Sequence, residues 1–459
     1  MSSAAAPPSP PGRRGVARRR LAAVAPALTA VLCTAAVALS LVLFGRPAAA
    51  SELVRHLPGT PAAPQWPATG QAAFAVAGAG EYASPGQTPV PAASTAKVMT
   101  AYVFLSRHPL RPGQDGPSFT VSAAEAARYR ARSAGAESVV PLRPGQRMTE
   151  RDALRALLAA SANNVADELA RWYGPVPTAF VGEMNRTAQR LGMDETHYTG
   201  PSGLAATTVS TAADQVKLLR AALRLPDFAA LASSSYTDVH GHRHANTNPM
   251  LGEEGVFAGK TGTTRAAGRN LVFAAHRDIA GRSRLVVGAV LAQPRRATLT
   301  TPVRQLLAET DRALVAAPVV RRGEVIASLR DGVGRAVPLS AAHDLSVTGP
   351  PGARVTLTVE PGAAPADGAP AGTAAARAVV TAVRPVGEPG AGDGDGAHAG
   401  PGAAGPVRDG TSGAADATYP EDPLGGSVGL VTDAPVPRLS APEWLVLRLL
   451  PWPARGLLL

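Results

Sequence analysis

Apolar residues between positions 70 and 316 recur at the spacings of regular helices and strands. Leu and Ala follow a helical period from 151 to 171, and a second helix is predicted for 302–315. The runs 72–77 and 285–291 are almost continuously apolar, which is typical of short buried strands. Because helices lie between strands that occur at both ends of this region, the pattern predicts a domain of the α/β or α+β class.

The pattern changes after residue 316, where short alternating runs separated by Gly and Pro predict a small β-rich domain. Gly, Ala, Pro and Asp then dominate without any periodicity, which is typical of disorder. The sequence therefore predicts a basic tail (1–20), a membrane anchor or signal segment (21–44) and a linker (45–69) before the α/β domain (70–316). The β-rich domain (317–384), a disordered region (385–440) and an apolar tail (441–459) follow it.

Residues 21–44 contain no charged side chain and follow a cluster of five arginines. A spanning helix needs about 20 apolar residues and a signal-peptide core about 7–15. The length favours an uncleaved anchor, whereas Ala48 and Ala50 before Ser51 fit a cleavage site, so both alternatives stay open. In either case the arginines stay in the cytoplasm and the chain after Ser51 is exported. The α/β domain is then extracytoplasmic at the cell membrane, or secreted if the segment is cleaved.

The formal net charge of +11 is spread thinly outside the arginine cluster, and aromatic residues make up 4% of the chain. Basic residues without interleaved aromatic side chains do not predict nucleic-acid binding. The only cysteine, Cys33, lies in the apolar N-terminal segment. This excludes a disulfide framework, a cysteine-based zinc site and a cysteine nucleophile in the folded domains. The sequence predicts no cofactor and no metal.

Lysine is rare, since 3 of the 45 basic residues are Lys and the others are Arg. Lys97 and Lys260 lie in the short motifs Ser94-Thr-Ala-Lys97 and Lys260-Thr-Gly262, and Ser161-Ala-Asn163 lies between these motifs. Arginine cannot give up its proton, so a lysine retained at such a place suits a base. Lys217, in a Leu/Ala-rich helix, is expected to be an exposed charge.

The spacing of Ser94 and Lys97, at the start of a predicted helix, places them about one turn apart on one face. A serine hydroxyl needs a base within hydrogen-bond reach, and neutral Lys97 can be that base if its pKa falls from about 10.4 by roughly 3 units. Burial and the positive charge of Lys260 both lower the pKa. The backbone N–H groups of Ser94 and Thr263 could form an oxyanion hole.

The other two motifs supply groups for a peptide substrate. Ser161 can pass a proton, and Asn163 can hold a substrate amide or the lysine. Lys260 and Thr261 suit a carboxylate, and Gly262 allows the backbone of a substrate to approach closely.

The three motifs, in this order, resemble those of the penicillin-recognising serine enzymes. The finer resemblance is to the D-alanyl-D-alanine carboxypeptidases, the low-molecular-mass penicillin-binding proteins. It implies a serine β-lactamase/transpeptidase-like fold with an antiparallel sheet flanked by helices. It extends over about residues 70–315 and rests on the segments 91–101, 142–146, 157–166, 184–188, 191–193, 196–198, 201–204, 210–214 and 259–268.

The resemblance also implies an activity, the removal of the terminal D-alanine from peptidoglycan stem peptides through an acyl-enzyme on Ser94. Lys97 would accept the proton, Ser161 would relay it to the leaving D-alanine and Asn163 would hold the substrate amide. Lys260 and Thr261 would hold the terminal carboxylate. β-Lactam antibiotics would be covalent inhibitors, and the N-terminal helix would attach the protein to the membrane.

Two positions depart from the family pattern. Asn164 stands where Asp is usual, and Gly200 stands where Asn is common. Neither position belongs to the catalytic groups, so the change Asn164→Asp is expected to leave activity within a few-fold.

Two other functions remain as alternatives. A class A-like β-lactamase would need a glutamate that activates the deacylating water, and Glu195 is the candidate in the corresponding loop. A catalytically inactive penicillin-recognising sensor would have lost a catalytic group, whereas the three motifs here are intact. Arg295 or Arg296 could assist with the substrate carboxylate, although paired arginines are more often simply exposed.

His240, His242 and His244 alternate as metal ligands on a strand would. No carboxylate motif accompanies them in the sequence, so a metal site is not predicted here.

Overall fold

The computed structural model describes residues 52–174, 176–330, 335–363, 365–385, 426–438, 440 and 456–458. The predicted basic tail and membrane segment, and most of the predicted disordered region and apolar tail, lie outside the described residues. Within the described part of the chain, no helix is both long and apolar enough to cross a membrane.

The main sheet has five antiparallel strands. Gln71–Val76 is the first strand of this sheet along the chain, and it pairs with Arg282–Gln293, which is the last. The sheet therefore brings the two ends of the domain together. The order across the sheet is Val256–Thr264, Gly268–Ile279, Arg282–Gln293, Gln71–Val76 and Gly80–Ala83.

Both faces of the main sheet are covered. Successive strand residues point to opposite faces. Ala73 and Ala75 therefore pack in the core that includes the helix Lys97–Arg107, whereas Phe74 and Val76 pack in the core that includes the helix Thr300–Thr310. This double burial explains the continuous apolar run. The predicted class, an antiparallel sheet flanked by helices, is confirmed.

Several helices begin where the sequence supplies a capping side chain. The hydroxyls of Ser122, Thr149 and Thr211 each accept a hydrogen bond from the backbone N–H three residues later, as N-caps do. The described helices are Lys97–Arg107, Ala123–Ala134, Glu150–Leu158, Asn163–Tyr173, Pro177–Arg190, Ala212–Leu223, Phe228–Ser233 and Thr300–Thr310.

The predicted helix 151–171 is in fact two helices, Glu150–Leu158 and Asn163–Tyr173. Ser161 lies between them with φ 58°, in the left-handed region that a continuing right-handed helix does not allow. The periodicity of Leu and Ala continues across the break, so it did not reveal the break.

The β-rich domain contains a seven-stranded antiparallel sheet and a pair formed by Val315–Val320 and Leu345–Gly349. The order in the larger sheet is Glu52–His56, Arg354–Pro361, Ala374–Arg384, Ser427–Thr432, Ala336–Ala341, Val325–Arg330 and Gly456–Leu458. Shorter strands elsewhere are Val90–Pro91, Ser118–Thr120, Arg147–Thr149, Val209–Ser210, Tyr236–Thr237 and Arg243–His244.

Two strands of this sheet lie where the sequence predicts no regular structure. Glu52–His56, in the predicted linker, pairs with Arg354–Pro361 over five residue pairs. Ser427–Thr432, in the predicted disordered region, fits between two strands and buries Val428 and Leu430. Both strands are too short for a clear pattern of their own, and their partners lie far away in the chain.

Candidate active site

Ser94 lies in a short 3-10 turn, Ala93–Ala96, that continues directly into the helix Lys97–Arg107. The turn begins with Ala93 at φ 49°, which is unfavourable for a residue with a side chain. Gly203 packs against this residue so closely that an added Cβ would lie 1.8 Å from the Ala93 carbonyl oxygen. Such strain persists when neighbouring segments impose it, and it is common at functional sites.

Asn270 joins the main sheet to the segment that precedes Ser94. It is fully buried, and its Nδ2 donates to the carbonyl oxygens of Pro91 at 3.0 Å and Ala92 at 2.9 Å. Its Oδ1 accepts a hydrogen bond from the backbone N–H of Ala292 at 2.8 Å. All the hydrogen-bonding groups of this side chain except one lone pair are thereby used to fix the position of the turn.

Lys97 is fully buried, and its Nζ has three oxygen neighbours. These are Ser94 Oγ at 2.8 Å, Asn163 Oδ1 at 2.7 Å and the Ser202 carbonyl oxygen at 2.9 Å. The amide and carbonyl oxygens can only accept hydrogen bonds, whereas a hydroxyl can also donate. A neutral amine has two N–H groups and one lone pair, so it can donate to Asn163 and Ser202 and accept the proton of Ser94.

The surroundings of Lys97 favour this neutral form. Burial lowers the pKa of Lys97 well below its usual value, and the positive charge of Lys260 lowers it further. The carboxylates of Asp167 and Glu137 act in the opposite direction and raise it. Burial also lowers the pKa of Lys260, to about 7.

Ser161 is 6% exposed and immediately precedes the helix that carries Asn163. The polar atom of its side chain makes no hydrogen bond to any other described residue, whereas the neighbouring Asn163 contacts Lys97 directly. With its left-handed φ, Ser161 is the second strained residue of the site that is not glycine. The hydroxyl is therefore not committed to another described side chain.

The third motif lies on Val256–Thr264, which is the edge strand of the main sheet. Gly262 lets this strand approach the nucleophile, because an added Cβ would lie 2.9 Å from Ser94 N and 3.0 Å from Ala92 O. Lys260 is 1% exposed, and its Nζ donates to the Thr261 carbonyl oxygen at 2.9 Å. An edge strand has backbone groups that an extended peptide can pair with.

The hydroxyls of the third motif face accessible space. Thr261 Oγ1 lies 2.6 Å from Thr247 Oγ1, and Thr263 is exposed. The structure thus brings Ser94 close to Lys97, Asn163 and the strand that carries Lys260, Thr261 and Thr263. The assembly joins a nucleophile to a buried base and places an accessible strand edge beside them.

Residues 79–291 match the sequence profile of peptidase family S11, D-alanyl-D-alanine carboxypeptidase. The matched segment includes the three motifs, Ser94–Lys97, Ser161–Asn163 and Lys260–Gly262. This segment is therefore similar to the D-alanyl-D-alanine carboxypeptidase family.

The relatives of this segment are named either carboxypeptidases or endopeptidases. The D-alanyl-D-alanine carboxypeptidase DacB2 of Mycobacterium tuberculosis is 35% identical over 205 residues, which are 43% of this chain and 65% of that protein. A D-alanyl-D-alanine endopeptidase of Pseudomonas aeruginosa is 35% identical over 193 residues, 40% of this chain and 58% of that protein. The chain thus spans less than two thirds of the length of either relative.

A solved structure of a D-alanyl-D-alanine carboxypeptidase from Mycobacterium tuberculosis aligns with 58% of this chain and 95% of its own. The sequence identity is 28% and the TM-score is 0.44.

Glu195 and the two candidate arginines take no part in the hydrogen bonds described for the site. Glu195 is exposed, and its backbone N–H donates to Asp214 Oδ2 at 3.0 Å. Arg295 and Arg296 are exposed in the turn after the strand Arg282–Gln293.

The three alternating histidines surround a carboxylate that the sequence pattern did not reveal. Asp238 Oδ1 accepts hydrogen bonds from the backbone N–H groups of His240 and His242, and Asp238 Oδ2 lies 3.0 Å from His244 Nε2. Among the described residues, no group of His, Cys, Asp or Glu is arranged to hold a metal ion.

Lys217 is less exposed than expected. Its Nζ donates to the Gly192 carbonyl oxygen and lies 3.3 Å from Asp214 Oδ1, so it links its own helix to a neighbouring loop.

Sequence reasoning missed three residues that shape the site, Glu137, Ser202 and Asn270. Asn270 lies in no recognised motif. Ser202 acts through its backbone oxygen, which side-chain identity does not reveal. Glu137 contacts Asn163 across a loop, and the spacing in the sequence gives no sign of that contact.

Asn164 is fully buried and is hydrogen-bonded to the backbone of Val140. Its Nδ2 donates to the Val140 carbonyl oxygen at 2.7 Å, and its Oδ1 accepts from the Val140 N–H at 3.2 Å. An ionised aspartate could keep the second bond but would turn an acceptor towards a buried carbonyl. The tolerance expected from the sequence therefore does not fit the contacts.

We predict that Asn164→Asp lowers the free energy of unfolding by about 1–3 kcal/mol at pH 8, because a buried acceptor loses its donor. The loss should be smaller at pH 5. Protonated aspartate can donate to Val140, so its pKa is raised in the folded protein and its destabilising effect declines as the pH falls through that pKa. Denaturant unfolding at the two pH values and the rate of acylation by a fluorescent penicillin measure the effects.

Asn185→Asp is a matched control, since Asn185 holds the backbone of Tyr198 in the same two-sided way at 2.8 Å for each bond. We expect both variants to lose stability and only Asn164→Asp to slow acylation as well, because Asn164 adjoins Asn163. Wild-type stability and rate in Asn164→Asp would show that the bonds to Val140 contribute nothing.

Proposed function

We propose that this protein is a serine-type D-Ala-D-Ala carboxypeptidase that removes the terminal D-alanine from peptidoglycan stem peptides. The observation that carries the proposal is the contact of 2.8 Å between Ser94 Oγ and the buried amine of Lys97. The family match of the domain supports the substrate class. β-Lactam antibiotics, whose reactive amide resembles the scissile bond, are the expected covalent inhibitors.

Acylation begins when Ser94 Oγ attacks the carbonyl carbon of the penultimate D-alanine. The hydroxyl proton passes to the lone pair of Lys97 Nζ, and the backbone N–H groups of Ser94 and Thr263 stabilise the developing oxyanion. The bond between this carbon and the nitrogen of the terminal D-alanine then breaks. Ser161 gives that nitrogen a proton and regains one from Lys97, so the amine is neutral again and Ser94 carries an ester.

Deacylation uses the same groups in the reverse sense. A water molecule attacks the ester carbon and loses a proton to Lys97, and the departing Ser94 oxygen recovers that proton. Asn163 holds the amide of the substrate while its Oδ1 remains on Lys97. Lys260 and Thr261 hold the terminal carboxylate, beside the strand edge along which the peptide lies.

The activity is tested with a peptide that ends in D-Ala-D-Ala and a fluorescent penicillin. The wild-type protein should release D-alanine and form a stable penicillin adduct. Ser94→Ala should do neither, because the other hydroxyl of this turn, on Thr95, is buried and donates to the Ala92 carbonyl oxygen. Rapid turnover of the penicillin would instead indicate a β-lactamase, and failure to react with either compound would indicate an inactive sensor.

Because a relative is named an endopeptidase, a second assay should test for cleavage of cross-links. A cross-linked dimer of two stem peptides, assayed beside the linear peptide, separates the carboxypeptidase and endopeptidase activities. Preferential cleavage of the cross-link would contradict the proposal of a carboxypeptidase.

We also propose that residues 21–44 attach the protein to the cell membrane, with the catalytic domain on the extracytoplasmic side. The uncharged stretch and the preceding arginines support this orientation. The full-length protein should therefore remain in the membrane fraction after a high-salt wash. A soluble protein with Ser51 as its mature N-terminus would replace the anchor with a cleaved signal peptide.

The two buried lysines have different roles, and Lys→Arg changes separate them. Arginine keeps a positive charge but cannot accept a proton. Lys97→Arg should slow acylation by about 10²–10⁴, the typical contribution of a general base. Lys260→Arg should retain measurable acylation and mainly weaken the binding of the carboxylate. Penicillin acylation rates and melting curves of both variants provide the comparison, and equally mild losses would show that Lys97 acts only as a charge.

A further inference from the structure

The side-chain amide of Asn163 can adopt two orientations, and only one of them leaves Lys97 able to act as a base. With Oδ1 towards Nζ, as found here at 2.7 Å, the amine uses an N–H on Asn163 and keeps its lone pair for Ser94. In the flipped orientation Nδ2 would point at Nζ. A neutral amine would then accept from the amide and lose its lone pair to it, so that the proton of Ser94 would have no acceptor.

Glu137 is the residue that distinguishes the two orientations. Its Oε2 accepts a hydrogen bond from Asn163 Nδ2 at 3.2 Å. An ionised carboxylate has no hydrogen to donate, so it cannot pair with Oδ1 of a flipped amide. The flipped orientation would place oxygen against oxygen at this contact, in addition to occupying the lone pair of Lys97.

The backbone next to Glu137 is hydrogen-bonded to the start of the helix Asn163–Tyr173. The backbone N–H of Asn163 donates to the Ser138 carbonyl oxygen at 2.7 Å, and the Glu137 N–H donates to the Arg132 carbonyl oxygen at 3.1 Å. Ala136, immediately before Glu137, has φ 57°, which is a strained value for alanine. The carboxylate is therefore delivered to Asn163 by a loop that has little freedom to withdraw it.

A positively charged side chain lies next to Glu137. Arg132 Nε lies 3.9 Å from Glu137 Oε2, and the same guanidinium group also pairs with Glu125 and Asp167. The Glu137 side chain is 21% exposed, so it is only partly shielded from water. Because it is not part of the hydrophobic core, it can be replaced without disturbing that core.

We propose that Glu137 is a positioning residue for the acylation step, which it serves by orienting the Asn163 amide so that the lone pair of Lys97 stays directed at Ser94. The inference rests on the proposed function, because it assumes that Lys97 activates Ser94 for acylation.

Glu137 also has an electrostatic effect on Lys97, and the experiment must separate it from positioning. The charged groups that face Lys97 are Lys260 from the edge strand, Asp167 from the helix Asn163–Tyr173 and Glu137 from the loop, with Arg132 behind both carboxylates. Removing either carboxylate lowers the pKa of Lys97. The acid limb of the acylation rate then moves to lower pH, because more of the amine is neutral at a given pH.

The variants are Glu137→Gln, Glu137→Ala and, as the electrostatic control, Asp167→Asn. Glutamine can pair with either orientation of the Asn163 amide, and alanine can pair with neither. In both variants residue 137 therefore no longer favours one orientation of this amide. We expect the plateau rate of penicillin acylation to fall about 3–10-fold in Glu137→Gln and at least about 10-fold in Glu137→Ala, in keeping with partial or complete loss of base function. In Asp167→Asn the acid limb should move while the plateau rate stays.

A double-mutant cycle with Asn163→Ala gives the decisive comparison. If Glu137 acts through Asn163, then Glu137→Gln should cause no further loss of plateau rate once the amide has been removed. Melting curves of all variants report any purely structural effect, which would lower the melting temperature without changing the plateau rate.

Two outcomes would overturn the inference. One is a plateau rate for Glu137→Ala equal to that of the wild type, which would reduce Glu137 to a nearby charge. The other is an equal loss with and without the Asn163 amide, which would show that Glu137 acts by another route. Failure of the wild-type protein to react with penicillin is a different result, because it refutes the proposed function itself.

Discussion

The burial of the Lys97 amine among oxygen atoms is the constraint on which the rest of the site depends. A charged ammonium group loses its hydration when it is fully buried, and the nearby positive charge of Lys260 adds to that cost. The neutral amine is therefore the form that this environment favours. It is useful only if two of its neighbours accept hydrogen bonds and the third can donate one. The carbonyl of Ser202, the amide of Asn163 and the hydroxyl of Ser94 meet this requirement.

Three loops must converge to supply these neighbours, and the backbone shows the cost of bringing them together. Ala93, Ala136 and Ser161 all have positive φ although none of them is glycine. Each lies next to a segment that contributes a group to the site, and conformations of this kind typically cost about 1–3 kcal/mol. Buried hydrogen bonds from Asn164 and Asn270 hold two of these segments in place. Close packing at Gly203 and Gly262 contributes as well, since a side chain at either position would collide with the nucleophile turn.

The sequence could predict that Ser94 and Lys97 lie together, because chemistry restricts the identity and the local spacing of such a pair. A serine and a lysine one helical turn apart, and the scarcity of lysine elsewhere, are visible without a structure. The groups that orient them could not be predicted in the same way. Glu137 and Asn163 are 26 positions apart and meet only because the loop returns to the helix start. The strands Glu52–His56 and Ser427–Thr432 were missed for a similar reason, since they are defined by distant partners and not by a pattern of their own.

The two lysines also show how one physical cause can give opposite roles. Burial lowers the pKa of both amines, yet only Lys97 has a hydroxyl to deprotonate. Burial lowers the pKa of Lys260 to about 7, and an anion beside this amine would stabilise its protonated form. A terminal carboxylate supplies that anion, whereas an uncharged amide in the middle of a peptide does not. The energy that the site gains from protonating Lys260 is thus available mainly to substrates that end at this point. Under the proposed function, the same burial that favours the neutral amine of Lys97 would therefore also favour peptides that end in a carboxylate beside Lys260.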